Sequence, residues 1–189
     1  MDKEEQFKFF VSDLLATYHT FCLTRFMHPP IDDEPSFKYY SKFKTTWDKI
    51  LYELETSYLV GFARLFDLYD LKREERITVS VYYFLDYPFR NYEETIQKIK
   101  KFRDKVLVHS NRDYSQKQFY TTEFGFREDR SDFAGLIEET IKIFNGIKEN
   151  FGYKNDIKAE AEEQKEKAEQ EFTKWYEVFQ EGFRNLQSK

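Results

Sequence analysis

Two side chains in the middle of the sequence, those of Arg103 and His109, are of types that act on phosphate esters. A histidine takes up and releases a proton near neutral pH, and an arginine presents a permanently charged fork of N–H donors that fits phosphate oxygens. Five residues separate the two, and the polar residues Asp104, Lys105 and Ser110 stand beside them. The cluster is a candidate site for acid–base chemistry if one structural element holds its members together.

That element is predicted to be a helix over residues 91 to about 110. Asn91 is a favoured N-cap residue, and Glu94 stands where the glutamate of a capping box belongs. At about 100° per residue, Arg103 falls within the stripe that the isoleucines of this helix form, and His109 falls at its edge. Burying an unpaired guanidinium is costly, so such an arginine needs a partner or a task. Two structural interpretations stay open: the arginine reaches a buried carboxylate or helix-end carbonyls, and the histidine is a packing residue.

The run Arg103-Asp104-Lys105, three apolar residues and then His109-Ser110 resembles the signature of the HEPN superfamily. That signature is an arginine followed by a polar residue, then a histidine after four to six residues, late in a helix. The form seen here is most similar to the abortive-infection AbiU-like branch. Two further stretches match that branch, residues 59–67 and residues 77–81, so the resemblance covers roughly residues 40–112.

The resemblance implies an all-α, HEPN-like helical bundle and a metal-independent endoribonuclease without cofactors, acting as a toxin or abortive-infection (antiphage defence) effector. The ribose 2′-OH of the RNA would be the nucleophile, and the products a 2′,3′-cyclic phosphate and a 5′-hydroxyl. His109 would be the general acid/base, Arg103 would hold the phosphate oxygens, and Asp104 would orient one of them or the substrate. The residues expected to contact the RNA are Lys105, Ser110, Arg64, Lys101 and Arg112.

Helix geometry and the resemblance together favour a homodimer. In an ideal helix Arg103 and His109 lie about 120° apart around the axis and about 9 Å apart along it, and the lean of side chains widens the gap. HEPN proteins commonly dimerise with their motif helices facing each other, which places two Arg/His pairs in one cleft. The expected partners are therefore an RNA substrate, a second copy of the chain and an antitoxin or defence-system protein.

Charge leaves a second class of function open. The 189-residue chain has a formal net charge of −5, so no global positive field attracts nucleic acid. Between Lys98 and Lys117, however, seven residues are basic and two are acidic, a pattern that a solvated helix face also explains. The alternative function is a non-catalytic helical module that binds nucleic acid or protein, which the acidic net charge and the terminal helix favour.

Cysteine usage and hydropathy predict a cytoplasmic location. Cys22 is the only cysteine, so the chain can form neither an internal disulfide nor a metal site with cysteine spacing. The N-terminus lacks a signal-peptide pattern. No apolar run approaches the roughly 20 residues that a membrane span needs, so no membrane partner is expected.

Hydrophobic periodicity predicts further helices on both sides of the motif helix. Their predicted ranges are residues 4–27, 36–70, 132–150 and 154–187. Residues 79–86 are rich in β-branched and aromatic side chains, which favour a strand, whereas the resemblance implies a short helix there. Residues 111–130 are predicted to form an irregular aromatic loop or a small hairpin. Aromatic residues make up 20% of the chain, which predicts a core built largely from Phe and Tyr.

The sequence divides into an expected HEPN-like helical domain, residues 1–152, and a charged, amphipathic C-terminal helix, residues 153–189. The first half of that helix is polar nearly all round. Its second half places Phe172, Trp175 and Phe179 on one face. This face is therefore expected to dock on the same domain, on a second copy or on a partner.

Overall fold

A computed structural model describes residues 2–28, 34–67, 79–86, 88–102 and 130–187, with the backbone alone for residues 34–43, 102, 130–131 and 183–187. Within these ranges every regular element is helical and none is a strand, which confirms the all-α prediction. The helices are α1 (Lys3–Met27), α2 (Glu34–Leu65), α3 (Val81–Phe84), α4 (Glu93–Phe102), α5 (Arg130–Ile147) and α6 (Ile157–Gln187). Two 3₁₀ turns, Arg90–Tyr92 and Lys148–Phe151, precede α4 and follow α5.

The chain divides into two compact units. Unit 1 consists of Met1–Leu14 and Leu59–Lys158, and unit 2 consists of Leu15–Tyr58 and Ala159–Lys189. The boundaries fall within α1, near the end of α2 and near the start of α6, so each of these helices contributes to both units. This division differs from a boundary after residue 152, and the folding of residues 1–152 as a separate domain stays a prediction.

Phenylalanine dominates the core of unit 1. Phe7 and Phe10 of α1 are fully buried. The ring of Phe7 stacks on that of Phe151 with centroids 4.7 Å apart, and the ring of Phe10 lies 4.3 Å from that of Phe144 in α5. The inward stripes predicted for these helices are confirmed in unit 1, where the buried members are Phe7, Phe10, Val11, Leu14, Phe133, Leu136, Ile137, Ile141 and Phe144.

Within residues 79–86, Val81–Phe84 form the short helix that the resemblance implies, and none of these residues forms the strand that their composition favours. In α3 the N–H of Leu85 donates to the carbonyl of Val81 over 3.1 Å. Val81 is fully buried, and the ring of Phe84 packs edge-on against that of Phe7. Positions 81 and 84 share one face of a helix but point to opposite faces of a strand. One helical turn therefore directs both side chains to the core.

Unit 2 is centred on Met27, Trp47 and Leu51, which are buried together. The partly buried hydrophobic residues around this centre are Leu23, Ile50, Leu54, Phe172, Trp175, Tyr176 and Phe179. The Trp47 ring lies 4.9 Å from that of Trp175, and its Nε1–H donates to the Met27 carbonyl over 2.9 Å. The sequence left three docking targets open for the aromatic face of α6. The structure shows this face packed against Trp47 of α2 in the same chain.

Polar contacts set the connection from α5 to α6. The helix predicted to run to residue 150 gives way to the 3₁₀ turn after Ile147. Gly152 then adopts a left-handed conformation, with φ of 69°, which glycine accepts without steric cost. At the start of α6, Asp156 acts as the N-cap, since its Oδ1 accepts from the N–H of Lys158 over 2.9 Å. The helix therefore begins three residues later than predicted.

Candidate functional site

The start of the motif helix packs against other residues of unit 1. The 3₁₀ turn Arg90–Tyr92 leads directly into α4. Asn91 therefore lies inside this turn and not at the N-cap position of the helix, where the sequence predicted it. Phe89, which precedes the turn, is buried and packs edge-on against Phe66, with ring centroids 5.3 Å apart. This contact fixes the start of α4 against the residue that follows α2.

Buried isoleucines hold α4 along its length. Ile96 and Ile99 are 3% and 0% exposed, which confirms the apolar stripe predicted for this helix. In the sequence, Arg103 follows Ile99 by four residues and Ile96 by seven, the spacing from which its place on this stripe is predicted. The described part of the motif helix is thus oriented as the sequence predicts.

The structure places only two of the predicted site residues. Lys101 is exposed on α4, and Arg64 lies at the end of α2. The remaining site residues, Arg103, Asp104, Lys105, His109, Ser110 and Arg112, lie outside the described residues. Their roles and their mutual geometry stay predictions, as does the structure expected for residues 111–130.

The lysines of α4 do not all face solvent. The Nζ of Lys98 lies 3.2 Å from Oε1 of Glu94, one turn earlier on the helix. The ammonium of Lys100 is buried, 5.4 Å from the centroid of the Tyr82 ring. Lys100 follows Ile96 by four residues, so it lies beside the buried stripe and its ammonium is enclosed near an aromatic face. Lys101 is therefore the lysine best placed on α4 to meet a phosphate.

Arg64 is held by α1. Its Nη2 lies 2.6 Å from Oδ1 of Asp13, and its side chain remains 58% exposed. Asp13 lies 51 residues earlier in the sequence. The contact fixes one edge of the guanidinium while leaving much of the group open to solvent.

The pKa of Asp13 reflects two opposed influences. Burial raises the pKa of this carboxyl, and the charge of Arg64 lowers it in part. With a folded-state pKa above the unfolded value, protonated Asp13 favours the folded state in acid, and that contribution is lost as the pH rises through the folded-state pKa. Arg64 therefore limits the destabilisation that the ionised Asp13 causes at neutral pH.

Removal of Arg64 is expected to destabilise the protein in a pH-dependent way. In Arg64→Ala the ionised carboxylate of Asp13 loses the guanidinium beside it, so stability at pH 7 should fall by at most about 1 kcal/mol, as for exposed ion pairs. Below about pH 3.5 the carboxyl is protonated in both states and the loss should vanish. Chemical denaturation of wild type and variant at pH 7 and below about pH 3.5 measures the difference in stability. A loss of stability that is equal under the two conditions would contradict the assigned pairing.

Gly135 of α5 leaves room for the side chain of Tyr92, the residue that precedes α4. A Cβ built on Gly135 would lie 2.7 Å from the hydroxyl oxygen of Tyr92, closer than real contacts allow. Gly146 on the same helix has no atom within 4 Å of the corresponding position. The absence of a side chain at Gly135 therefore lets Tyr92 approach the α5 backbone at the start of the motif helix.

We expect opposite effects from alanine at these two glycines. Gly146→Ala should stabilise the protein by about 0.5–1 kcal/mol, because alanine loses less backbone entropy in a helix. Gly135→Ala should destabilise it by about 1 kcal/mol, because steric overlap outweighs that gain. Thermal unfolding of the two variants and of the double variant Gly135→Ala/Tyr92→Phe measures both effects. Removal of the hydroxyl should restore most of the loss, and no restoration would place the cost elsewhere.

Histidine–carboxylate contacts occur in unit 2. His28 Nε2 lies 3.2 Å from Oε1 of Glu55, and His19 Nε2 lies 3.2 Å from Oε2 of Glu171.

Within the described ranges, no group of three or more His, Cys, Asp or Glu side chains is arranged to hold a metal ion. The helices in the same ranges include none with both the length and the apolar character required to cross a bilayer. Comparison with known protein families, curated proteins and solved structures finds no match to this chain.

Proposed function

We propose that the chain is a metal-independent endoribonuclease of HEPN type that acts as a toxin or abortive-infection effector. Neutral His109 would take the proton from the ribose 2′-OH as that oxygen attacks phosphorus. The 5′-oxygen would then leave with a proton from an acid, which gives a 2′,3′-cyclic phosphate and a 5′-hydroxyl. Arg103 would hold the non-bridging oxygens as negative charge builds on them.

The observation that carries the proposal is the register of α4. Ile96 and Ile99 are buried, and the Arg/His motif follows on the same chain segment at the spacing of the resemblance. The all-α architecture and the short helix α3 are consistent with the AbiU-like pattern. Arg64, which that pattern also covers, presents an exposed guanidinium in unit 1. Lys101 offers an additional positive charge for the RNA backbone.

A homodimer is part of the proposal. Six positions separate Arg103 from His109, so within one ideal helix they point about 120° apart. Two motif helices facing each other around a twofold axis would bring an arginine from one copy near a histidine of the other. The second histidine would then be available as the acid that protonates the leaving oxygen. An antitoxin or another defence-system protein would hold such an enzyme inactive in the cell.

The alternative is a non-catalytic helical module for nucleic acid or protein. The net charge of −5 favours it, because an RNA-processing enzyme commonly carries a positive field. A nucleic-acid-binding module would bind RNA without cutting it, and its affinity would fall steeply with salt. A protein-binding module would show neither property.

The decisive experiment is a digest of mixed cellular RNA with the purified chain, with and without EDTA. The proposal requires cleavage in both samples, 2′,3′-cyclic phosphate and 5′-hydroxyl ends, and a dimer by light scattering. Intact RNA bound in a salt-sensitive manner would favour the alternative. Cleavage that EDTA stops would exclude the proposed mechanism.

A further inference from the structure

Phe9 is an aromatic residue on the outer side of α1 in unit 1. It is 58% exposed, whereas its neighbours Phe7 and Phe10 are fully buried. Among the side chains that the structure describes, no other aromatic ring is as open to solvent. A ring in this position contributes little to the hydrophobic core, because most of it stays in water when the chain folds. It is therefore available to contact a ligand.

An arginine is held near this ring. Phe9 and Asp13 stand four positions apart on α1, so they share one face of the helix, with Cβ atoms about 5–6 Å apart. Oδ1 of Asp13 accepts a hydrogen bond of 2.6 Å from Nη2 of Arg64. A single exposed apolar residue is ordinary on a protein surface. Phe9 differs because an exposed ring and an exposed guanidinium are neighbours of the same carboxylate.

The hydrogen bond with Asp13 orients Arg64 without enclosing it. A guanidinium has five N–H donors, and the contact with Asp13 is made by Nη2. The side chain of Arg64 remains 58% exposed, which leaves room for an anion at the open edge of the group. Phosphate oxygens fit such a planar fork of donors. An arginine that is already held in place also loses less side-chain freedom when it binds.

We infer that Phe9 and Arg64 form a binding surface for single-stranded nucleic acid, with a base stacked on the ring and a nearby phosphate on the guanidinium. Each nucleotide joins a flat base to a charged phosphate, and these two side chains offer one contact for each. Every base has a π-face, so the stack does not depend on sequence. That the bound strand is an RNA substrate rests on the proposed function, whereas the binding itself requires no cleavage.

The other charges near Phe9 do not create a broad positive field. On α1, Nζ of Lys8 lies 2.6 Å from Oε1 of Glu4, so these two charges offset each other. Glu5, one turn before Phe9, is exposed and acidic. Arg64 is thus the cation assigned to the phosphate. We therefore expect modest affinity, with a salt dependence set by one phosphate contact.

Fluorescence anisotropy of a short, labelled oligo(dT) strand with the full chain tests the inference. This deoxy strand lacks the 2′-OH nucleophile, so the proposed ribonuclease mechanism cannot cut it and the assay reports binding alone. An abasic strand of the same length keeps the phosphates and removes the bases. Phe9→Ala should weaken binding of oligo(dT) by about 5–100-fold, the range for one base stacked on an aromatic ring, and leave binding of the abasic strand unchanged. Phe9→Leu keeps an apolar side chain without a ring and should show the same loss.

Arg64→Gln should weaken the binding of both strands. It should also reduce the slope of log affinity against log salt concentration by about 0.7, the value for one phosphate of a single strand. Lys142→Gln is the matched control, because Lys142 is also an exposed cation beside a carboxylate, that of Glu139 on α5. Val178→Ala is the control for Phe9, at a 70% exposed apolar position. Both controls should keep the wild-type affinity, and circular dichroism checks that every variant is folded.

Equal affinity losses for the two strands in Phe9→Ala, or an unchanged salt slope in Arg64→Gln, would overturn the inference. Wild type that leaves oligo(dT) unbound at low salt would also overturn it and would favour a protein partner for this surface, even if the chain cleaves RNA. The expected variant effects together with intact RNA in the digest would uphold this binding surface and refute the ribonuclease. The two proposals can therefore fail separately.

Discussion

Alanine at Arg103 or at His109 is expected to reduce RNA cleavage by about 10²–10⁴-fold while the protein remains folded and dimeric. The His109→Ala variant would lack the group that moves the proton. The Arg103→Ala variant would lack the positive charge that stabilises the phosphate oxygens as they become more negative. Each change alone should give nearly the full loss, because both groups act in the same step. Initial rates on one labelled RNA measure the effect, and circular dichroism and light scattering check the fold and the assembly.

Lys101→Ala is the matched control for these variants. It removes a positive charge from α4, two residues before Arg103 in the sequence, at a position that the structure shows to be exposed. Its expected effect is weaker RNA binding, with a shallower dependence on salt, and a nearly unchanged rate at saturating RNA. A rate loss as large as that of His109→Ala would indicate that the assay follows overall charge and not the two assigned groups.

The pH dependence of cleavage adds a further test of the same mechanism. The rate should fall in acid as the neutral imidazole of the base is lost. It should fall again in alkali if an imidazolium of the second copy supplies the acid. Cleavage that survives His109→Ala would rule out the assigned roles even if the chain proves to be a ribonuclease.

Helical periodicity predicted the inner faces of the long helices because it depends on local spacing alone. The apolar positions of α1 recur at three- and four-residue intervals, and the structure buries them from Phe7 to Cys22. The same holds for Ile96 and Ile99 in α4. Large aromatic side chains reinforced the pattern, since each contributes a large apolar area to the stripe.

Partners of these faces could not be predicted, because the hydrophobic effect is non-directional. Periodicity identified the aromatic face of α6 but left three targets open, and the contact with Trp47 links positions 128 residues apart in the sequence. Polar pairs can be equally non-local, as the contact of Arg64 with Asp13 shows. Lys100 shows a third limit of prediction from sequence. The run of lysines in α4 suggests a solvent-exposed basic face, but the long apolar stem of Lys100 lets its ammonium lie buried.

Helix ends were predicted less well than helix faces. α2 was expected to reach residue 70 and ends at Leu65, and α5 gives way to a 3₁₀ turn after Ile147. Such ends depend on individual caps and turns, whose contribution is small beside that of the buried stripe. At Gly152 the left-handed backbone ends the 3₁₀ turn that follows α5.

The largest stability effect is expected from Trp47, the residue at the centre of unit 2. It is 4% exposed, and its ring contacts those of Trp175 and Phe179, with centroids 4.9 Å and 5.8 Å away. Trp47→Ala should destabilise unit 2 by about 3–5 kcal/mol, the range for truncating a buried aromatic residue. Trp47→Phe keeps a ring but leaves the Met27 carbonyl without its donor, and should cost about 1–3 kcal/mol.

The composition of the chain makes this prediction measurable unit by unit. Its two tryptophans, Trp47 and Trp175, both belong to the unit 2 cluster, so in either Trp47 variant the fluorescence of Trp175 still reports on unit 2. Circular dichroism at 222 nm reports on all helices. Val178→Ala, at a 70% exposed position of α6, is the control and should change stability by less than about 0.5 kcal/mol.

A fluorescence transition that moves to lower denaturant ahead of the dichroism transition would show that unit 2 unfolds separately. Trp47→Ala and Val178→Ala with equal stability would mean that the face of α6 containing Trp175 does not dock on Trp47.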